Sequence, residues 1–250
     1  LPYLMYRNIF YLLNLKKKIV TEQFSRVIDL QNSSRTEFYR NYLFNIKDWS
    51  SSYTILTEGE TKTDFDHDGV LERFKTQLDR TSIHSTYSLT PDFSWAVDRS
   101  FNVDNLKNYI FISPFSSNKL PHKRWPHYAE LIHMIKTKFP ELDVVVAPGP
   151  GEIEEANKLN AKVILDGAKP TNFSQLAKII EGAKLVIAND TGPAHMAAHL
   201  GCKGVVLFGT HTTPKKVSIE TDSFKAIVSD NLSNLSAETV FLKIESLLRN

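Results

Sequence analysis

The stretch Leu185-Val186-Ile187-Ala188-Asn189-Asp190-Thr191-Gly192-Pro193-Ala194-His195-Met196-Ala197 decides the fold: an apolar run stops in a Gly-containing turn and restarts as a short helical stretch ending at Leu200-Gly201. Such a turn leaves backbone N–H groups without partners and aims the positive end of the helix dipole at the same spot. That combination is a seat for phosphate. Ligands of open α/β sheets bind beyond the carboxyl ends of the strands, so position and chemistry agree. Taken alone, the turn also admits a plainer reading, in which Asp190 or Thr191 merely caps the helix. His195, one turn in, is by itself either a ligand contact or a satisfied, partly buried histidine.

Working outward, three more strand ends carry similar chemistry. Ile110-Phe111-Ile112-Ser113-Pro114-Phe115-Ser116-Ser117 is an apolar run ending in hydroxyls, followed by the basic Lys119-Leu120-Pro121-His122-Lys123-Arg124-Trp125-Pro126. Val144-Val145-Val146-Ala147-Pro148-Gly149-Pro150-Gly151-Glu152 closes in a Pro/Gly turn and delivers a carboxylate at a helix start, within reach of a ribose or sugar hydroxyl. Val205-Val206-Leu207-Phe208-Gly209-Thr210 leads to Thr213-Pro214. Four such ends in succession are hard to explain as caps alone.

From Tyr109 the pattern is regular. Strands are expected at 109–113, 143–147, 162–165, 185–188, 204–208 and 225–228, alternating with helices at 125–138, 151–158, 172–181, 193–200 and 237–248. This spacing means βαβ units on a parallel sheet, and the Val/Ile-rich strands fit a sheet covered on both faces. Residues 1–105 form a less regular first part: a helix from Tyr3 to Lys17, a strand from Arg26 to Leu30, helical stretches at Ser34–Phe44 and Val70–Leu78, and a polar approach to a linker at 88–108. The expected division is a domain at 1–105 and a Rossmann-like domain at 106–250, whose last helix, with Ser236 as N-cap, is free to pack back on the first.

With 42% hydrophobic and 23% charged residues, the 250-residue chain is an ordinary globular composition. No apolar run reaches the roughly 18 residues that span a bilayer. The lone Cys202 excludes an internal disulfide and reads as a small core residue. Net charge is +2, but residues 1–40 carry +4 and the remainder −2. The first helix is both basic (Lys16, Lys17, Lys18) and aromatic. It suits an anionic membrane surface, or, the favoured reading, packing on its own domain. Asp64-Phe65-Asp66-His67-Asp68-Gly69 copies half of a calcium loop, yet Lys75 stands where the bidentate Glu is required; a solvated acidic loop is expected.

The order Ser-Ser, Lys-Arg-Trp-Pro, Pro-Gly-x-Gly-Glu, Asn-Asp-Thr-Gly-Pro-x-His-x-Ala-Ala and Leu-Phe-Gly resembles the lipopolysaccharide heptosyltransferases, glycosyltransferase family nine. The resemblance is good from Tyr109 to about Phe208 and recognisable in Val27-Ile28-Asp29-Leu30-Gln31-Asn32-Ser33-Ser34-Arg35. It implies an α/β fold of the GT-B type, two Rossmann-like domains with parallel sheets. The family opens with a strand and a Gly-Asp turn whose Asp is the general base. No equivalent follows Leu1-Pro2, so the N-terminal domain looks truncated and the base is expected upstream of Leu1. Donor contacts are implied for Ser116, Ser117, Lys123, Glu152, Asp190, Thr191, Gly192, Pro193 and His195, and an anionic acceptor contact for Arg35, which reads equally well as a surface arginine. The implied activity is inverting transfer of heptose from an ADP-sugar to a lipid-linked or oligosaccharide lipopolysaccharide-core acceptor, on the cytoplasmic side of an inner membrane and in possible peripheral contact with it. No cofactor, metal or nucleic-acid partner is expected: Lys123, hydroxyls and a helix N-terminus stand in for a metal. A sugar-nucleotide epimerase of the same fold and a non-catalytic nucleotide-sugar-binding remnant are the alternatives.

Overall fold

The computed structural model describes residues 2–84 and 90–249, which divide into two compact units, residues 1–89 and 90–250. The first holds α1 (Pro2–Glu22), β1 (Arg26–Ile28), α2 (Ser34–Phe38) running into a π-helical turn (Tyr39–Leu43), β2 (Asp48–Ser50), α3 (Lys62–Phe65) and α4 (Val70–Arg80). β1 and β2 pair in parallel, Val27 opposite Trp49. β1 stops short of the expected Leu30 because the Asp29 carboxylate turns back to accept from the N–H groups of Gln31 (3.0 Å) and Asn32 (3.1 Å). Gln77 of α4, fully buried, bolts both strand ends: its amide donates to the carbonyls of Asp29 (3.0 Å) and Ser50 (3.1 Å).

The acidic loop is wired rather than merely solvated. Asp64 closes a capping box with Thr61 at the start of α3, and Asp66 pairs with Lys62 and with Arg73 (2.9 Å). From residue 10 onward α1 exposes Phe10, Tyr11, Leu13 and Val20 and half-buries Leu12, Leu15 and Ile19, which share one face of the helix. The side chains of residues 2–9, with Tyr3, Leu4, Met5, Tyr6 and Ile9 of the aromatic stretch, lie outside the described residues, as do residues 85–89. Among the described residues no helix is long and apolar enough to cross a membrane.

The second unit contains β3 (Tyr109–Ser113), α5 (Tyr128–Lys138), β4 (Asp143–Val146), α6 (Ile153–Ala156), β5 (Lys162–Val163), α7 (Phe173–Glu181), β6 (Leu185–Asn189), α8 (Gly192–His199), β7 (Gly204–Phe208), α9 (Pro214–Val217), β8 (Phe224–Val228) and α10 (Ala237–Arg249). Its six strands are all parallel in the order β5-β4-β3-β6-β7-β8. Alternate residues of each strand face opposite sides, and both sides are apolar. Ile110, Ile112, Val144, Ile187 and Leu207 pack with Leu131 and Ile135 of α5 and with Val240 and Ile244 of α10. Tyr109, Phe111, Val145, Val186 and Phe208 pack with Ile179 and Ile180 of α7 and Ala197 of α8. Double burial is why these strands read as continuous Val/Ile runs. Ser236 accepts from Thr239 N–H (3.2 Å) at the start of α10, which lies against α5.

The units divide at Leu89, earlier than the boundary expected at 105. The intervening segment looks polar because Asp92 and Asp98 fold it into tight turns (Ser94 N–H 2.8 Å, Ser100 N–H 2.9 Å from their carboxylates). In and around those turns Phe93, Val97, Phe101, Val103 and Leu106 pack into the α7 side of the second core. The helix expected from Trp125 begins at Tyr128 instead, since a residue before proline is pushed out of the helical region.

Candidate functional site

The chain leaves β3 to place β4 on one side and returns to place β6 on the other, so the crevice beyond β3 and β6 is the sheet's switch point. One residue joins its two walls. Asn189, fully buried at the end of β6, accepts on Oδ1 from Trp125 N–H (3.3 Å) and the Tyr128 hydroxyl (3.2 Å) and donates to the Pro114 carbonyl (2.8 Å). Trp125 is locked from the other side, its indole N–H donating to the Leu235 carbonyl (2.7 Å). The loop after β3 is thereby fixed against the turn after β6, and Lys123 with it.

Beyond Asn189 neither Asp190 nor Thr191 caps α8: no side chain there bonds a helix N–H, and Thr191 Oγ1 donates back to the Asn189 carbonyl (3.3 Å). The N–H groups of Thr191 and Gly192 have no partner among the described residues. The Asp190 carboxylate, 3% exposed, gathers three basic side chains instead. Lys123 Nζ and His211 Nε2 each stand 2.7 Å from Oδ2, and His195 Nε2 stands 3.5 Å from Oδ1. Lys123 also donates to the Asp190 carbonyl (3.2 Å). Burial alone would push the Asp190 carboxyl up, but hydrogen bonding from His195, Lys123 and His211 outweighs it and holds the group well below the usual carboxylate range. Burial and then the neighbouring His195 lower the pKa of His199, one turn further along α8.

This cluster walls a cavity of about 580 Å³ lined by Leu120, His122, Lys123, Asp190, Thr191, Gly192, His195, His211, Thr212 and Val217. The structure thus brings together Lys123, Asp190, Thr191, Gly192 and His195, with Pro193 supplying the first turn of α8. It does not bring Ser116, Ser117 or Glu152 onto the cavity. Ser116 is buried and donates to the Leu120 carbonyl (2.9 Å); Ser117 is exposed; Glu152 Oε2 accepts from Gly149 N–H (2.7 Å). Arg35 is exposed in the first turn of α2, in the other unit. Among the described residues no group of three or more His, Cys, Asp or Glu side chains is arranged to hold a metal ion.

Two residues were not marked by sequence reasoning. His211 follows Gly209-Thr210 at the end of β7, where only the strand-end position hinted at a role. Asn189 was quoted within the turn without a role and is a buried cross-link.

The arrangement suits an anion with several oxygens: one ammonium, two unpartnered N–H groups and an open helix N-terminus face one cavity. Comparison with known proteins gives this a family. The model of glycosyltransferase family 9 (heptosyltransferase) matches residues 53–243. Among solved structures, the chain is similar to E. coli ADP-heptose lps heptosyltransferase II (TM-score 0.70, 19% identity, covering 97% of this chain and 82% of that one). It is also similar to E. coli heptosyltransferase WaaC with ADP (TM-score 0.68, 17% identity, 95% and 77%). More distant is a UDP-GlcNAc 2-epimerase from Methanocaldococcus jannaschii (TM-score 0.55, 13% identity, 96% and 73%). No curated protein matches by sequence. Parallel sheets, helix order and these likenesses give the α/β fold of the GT-B heptosyltransferases, and the chain belongs to glycosyltransferase family 9, the heptosyltransferases, as a sugar-transferring enzyme.

Proposed function

We propose that the protein moves a heptose from ADP-heptose to a lipopolysaccharide-core acceptor, with inversion and without a metal ion. The observation that carries this reading is the convergence of Lys123, His195 and the free N–H groups of Thr191 and Gly192 on one cavity at the switch point. In the transfer, negative charge grows on the leaving diphosphate. Donors already fixed around it stabilise that charge without reorganising. Pro193 helps by fixing the first turn of α8. ADP as the nucleotide is supported by the E. coli WaaC structure, which contains it. Ser117, exposed in the loop after β3, and Glu152, whose Oε2 holds its own turn, lie off the cavity lining and are assigned to the outer parts of the donor, its ribose and sugar hydroxyls. Ser116 acts by shaping that loop. Arg35 is assigned to the anionic acceptor, and the exposed Lys16, Lys17 and Lys18 of α1 to peripheral contact with the cytoplasmic face of an inner membrane.

Calorimetric titration with ADP, UDP and GDP tests the reading. Selective ADP binding is expected. UDP selectivity would move the donor elsewhere and favour an epimerase, and heat from none of the three would sink the nucleotide site. Lys123→Ala should weaken ADP binding by roughly 1.5–3 kcal/mol, the scale of a hydrogen bond to a charged group; unchanged affinity would remove Lys123 from the site. Transfer activity should persist in EDTA, and abolition with rescue by magnesium or manganese would overturn the metal-free mechanism.

A further inference from the structure

We propose that His211 is a positioning residue of the diphosphate seat, a neutral second donor that keeps Asp190 ionised and in place when a bound diphosphate draws Lys123 away. The inference rests on the nucleotide-sugar reading of the cavity.

Lys123 Nζ and His211 Nε2 compete for the same oxygen, each 2.7 Å from Asp190 Oδ2. An ammonium has three donors, and two of them are committed to Asp190, one to Oδ2 and one to the carbonyl. A diphosphate in the cavity offers more acceptors and more charge than that single carboxylate, so the ammonium shifts toward it. Asp190, 3% exposed, then faces the arriving negative charge without its counter-ion. With only His195, 3.5 Å from Oδ1, remaining, Oδ2 would take up a proton or swing out, and the turn carrying the Thr191 and Gly192 N–H groups would move with it.

His211 prevents this because it cannot follow the ligand. Its ring is stacked on Phe208 (centroids 6.1 Å apart, planes 9° apart) and lies 5.4 Å from the His122 ring. Its other nitrogen, Nδ1, is buried without a hydrogen-bond partner and looks onto Gly209, where a Cβ would come within 3.6 Å of it. A second proton at Nδ1 would be an orphaned buried donor. The hydrogen bonds therefore assign the neutral tautomer with its proton on Nε2, pointing at Asp190. The charged and titratable groups that share its cavities are Asp190, Lys123 and His195 on one side and Arg124 and Asp230 on the other, with His122 on the β3 loop lining both. A lysine or arginine in this place would be pulled to the phosphate; a wedged, uncharged imidazole stays on the carboxylate.

The test is ADP affinity by calorimetry in a double-mutant cycle. His211→Ala should weaken ADP about tenfold, as for one hydrogen bond to a charged group. His211→Gln supplies an uncharged amide donor and should recover affinity to within about threefold of the starting protein. In an Asp190→Asn background, His211→Ala should change affinity by less than about twofold, because the carboxylate it serves is gone. The proposal is overturned if Gln is no better than Ala, or if His211→Ala has the same effect with and without the Asp190 carboxylate. These results leave the nucleotide-site reading standing as long as the starting protein binds ADP; if it does not, both fall together.

Discussion

Asp190→Ala is expected to destabilise the second unit by about 3 kcal/mol, lowering its melting temperature by about 6–12 °C. The change removes the carboxylate that Lys123, His195 and His211 share and leaves a lysine ammonium, 20% exposed, beside a half-buried imidazole. Removing one member of a buried pair typically costs 3–5 kcal/mol, and Lys123 can relax into the cavity, which favours the low end. The pH dependence has a definite sign. Asp190 is held below the ordinary carboxylate range when folded, so its contribution is fully present above the unfolded value near 4 and is lost as pH falls toward the folded one. The Asp190 part of the stability gap between the original protein and the variant, followed by denaturant unfolding, should therefore shrink as pH falls below about 4. A gap that stays constant down to pH 2 would show that the cluster does not depress Asp190.

Trp125→Ala should cost about 3–5 kcal/mol, the range for deleting a fully buried aromatic. Trp125 is 2% exposed, meets Tyr128 edge-on at 4.9 Å and bonds the Leu235 carbonyl. Truncation opens a cavity and orphans that carbonyl. The effect should also reach the site, because Trp125 lies two residues from Lys123 and its own N–H is held by Asn189. ADP affinity should fall even where the variant is still folded. Trp125→Phe, which keeps most of the packing and loses only the indole donor, should recover much of the stability. A stability loss under 1 kcal/mol for the alanine variant would show that the loop after β3 is not anchored as described.

What the sequence disclosed follows from how the chain is buried. The second unit was legible because doubly covered parallel strands must be apolar on both faces, as at residues 109–112 and 185–188, ahead of the polar strand ends Ser113 and Asn189. Its strand boundaries came within a few residues. The first unit was harder to read. β1 and β2 are three residues each, and Asp48-Trp49-Ser50 has no apolar period to notice. Its helical stretch Ser34–Phe44 divides between α2 and a π-helical turn closed by the Phe44 N–H on the Tyr39 carbonyl (2.9 Å). The site shows the same contrast. Lys123, Asp190, Thr191, Gly192 and His195 were named from the sequence and line one cavity. His211 was not, because its meeting with Asp190 depends on the register Asn189↔Leu207, which levels the ends of β6 and β7. Ser116 and Glu152 have the right residue types at strand ends, yet each is occupied by its own loop.

The Asn189 cross-link has a consequence for breathing motions. Its three hydrogen bonds belong to both walls of the crevice, and it has no contact with water. Neither wall can loosen alone without stranding a buried amide, so the two open together or not at all. The Trp125 amide should then exchange its hydrogen with solvent about as slowly as the central strands, an unusual property for a loop, since ligand loops generally come from the least protected part of a fold. A receptor of this kind meets its nucleotide already assembled, and little of the binding free energy is lost to ordering the protein.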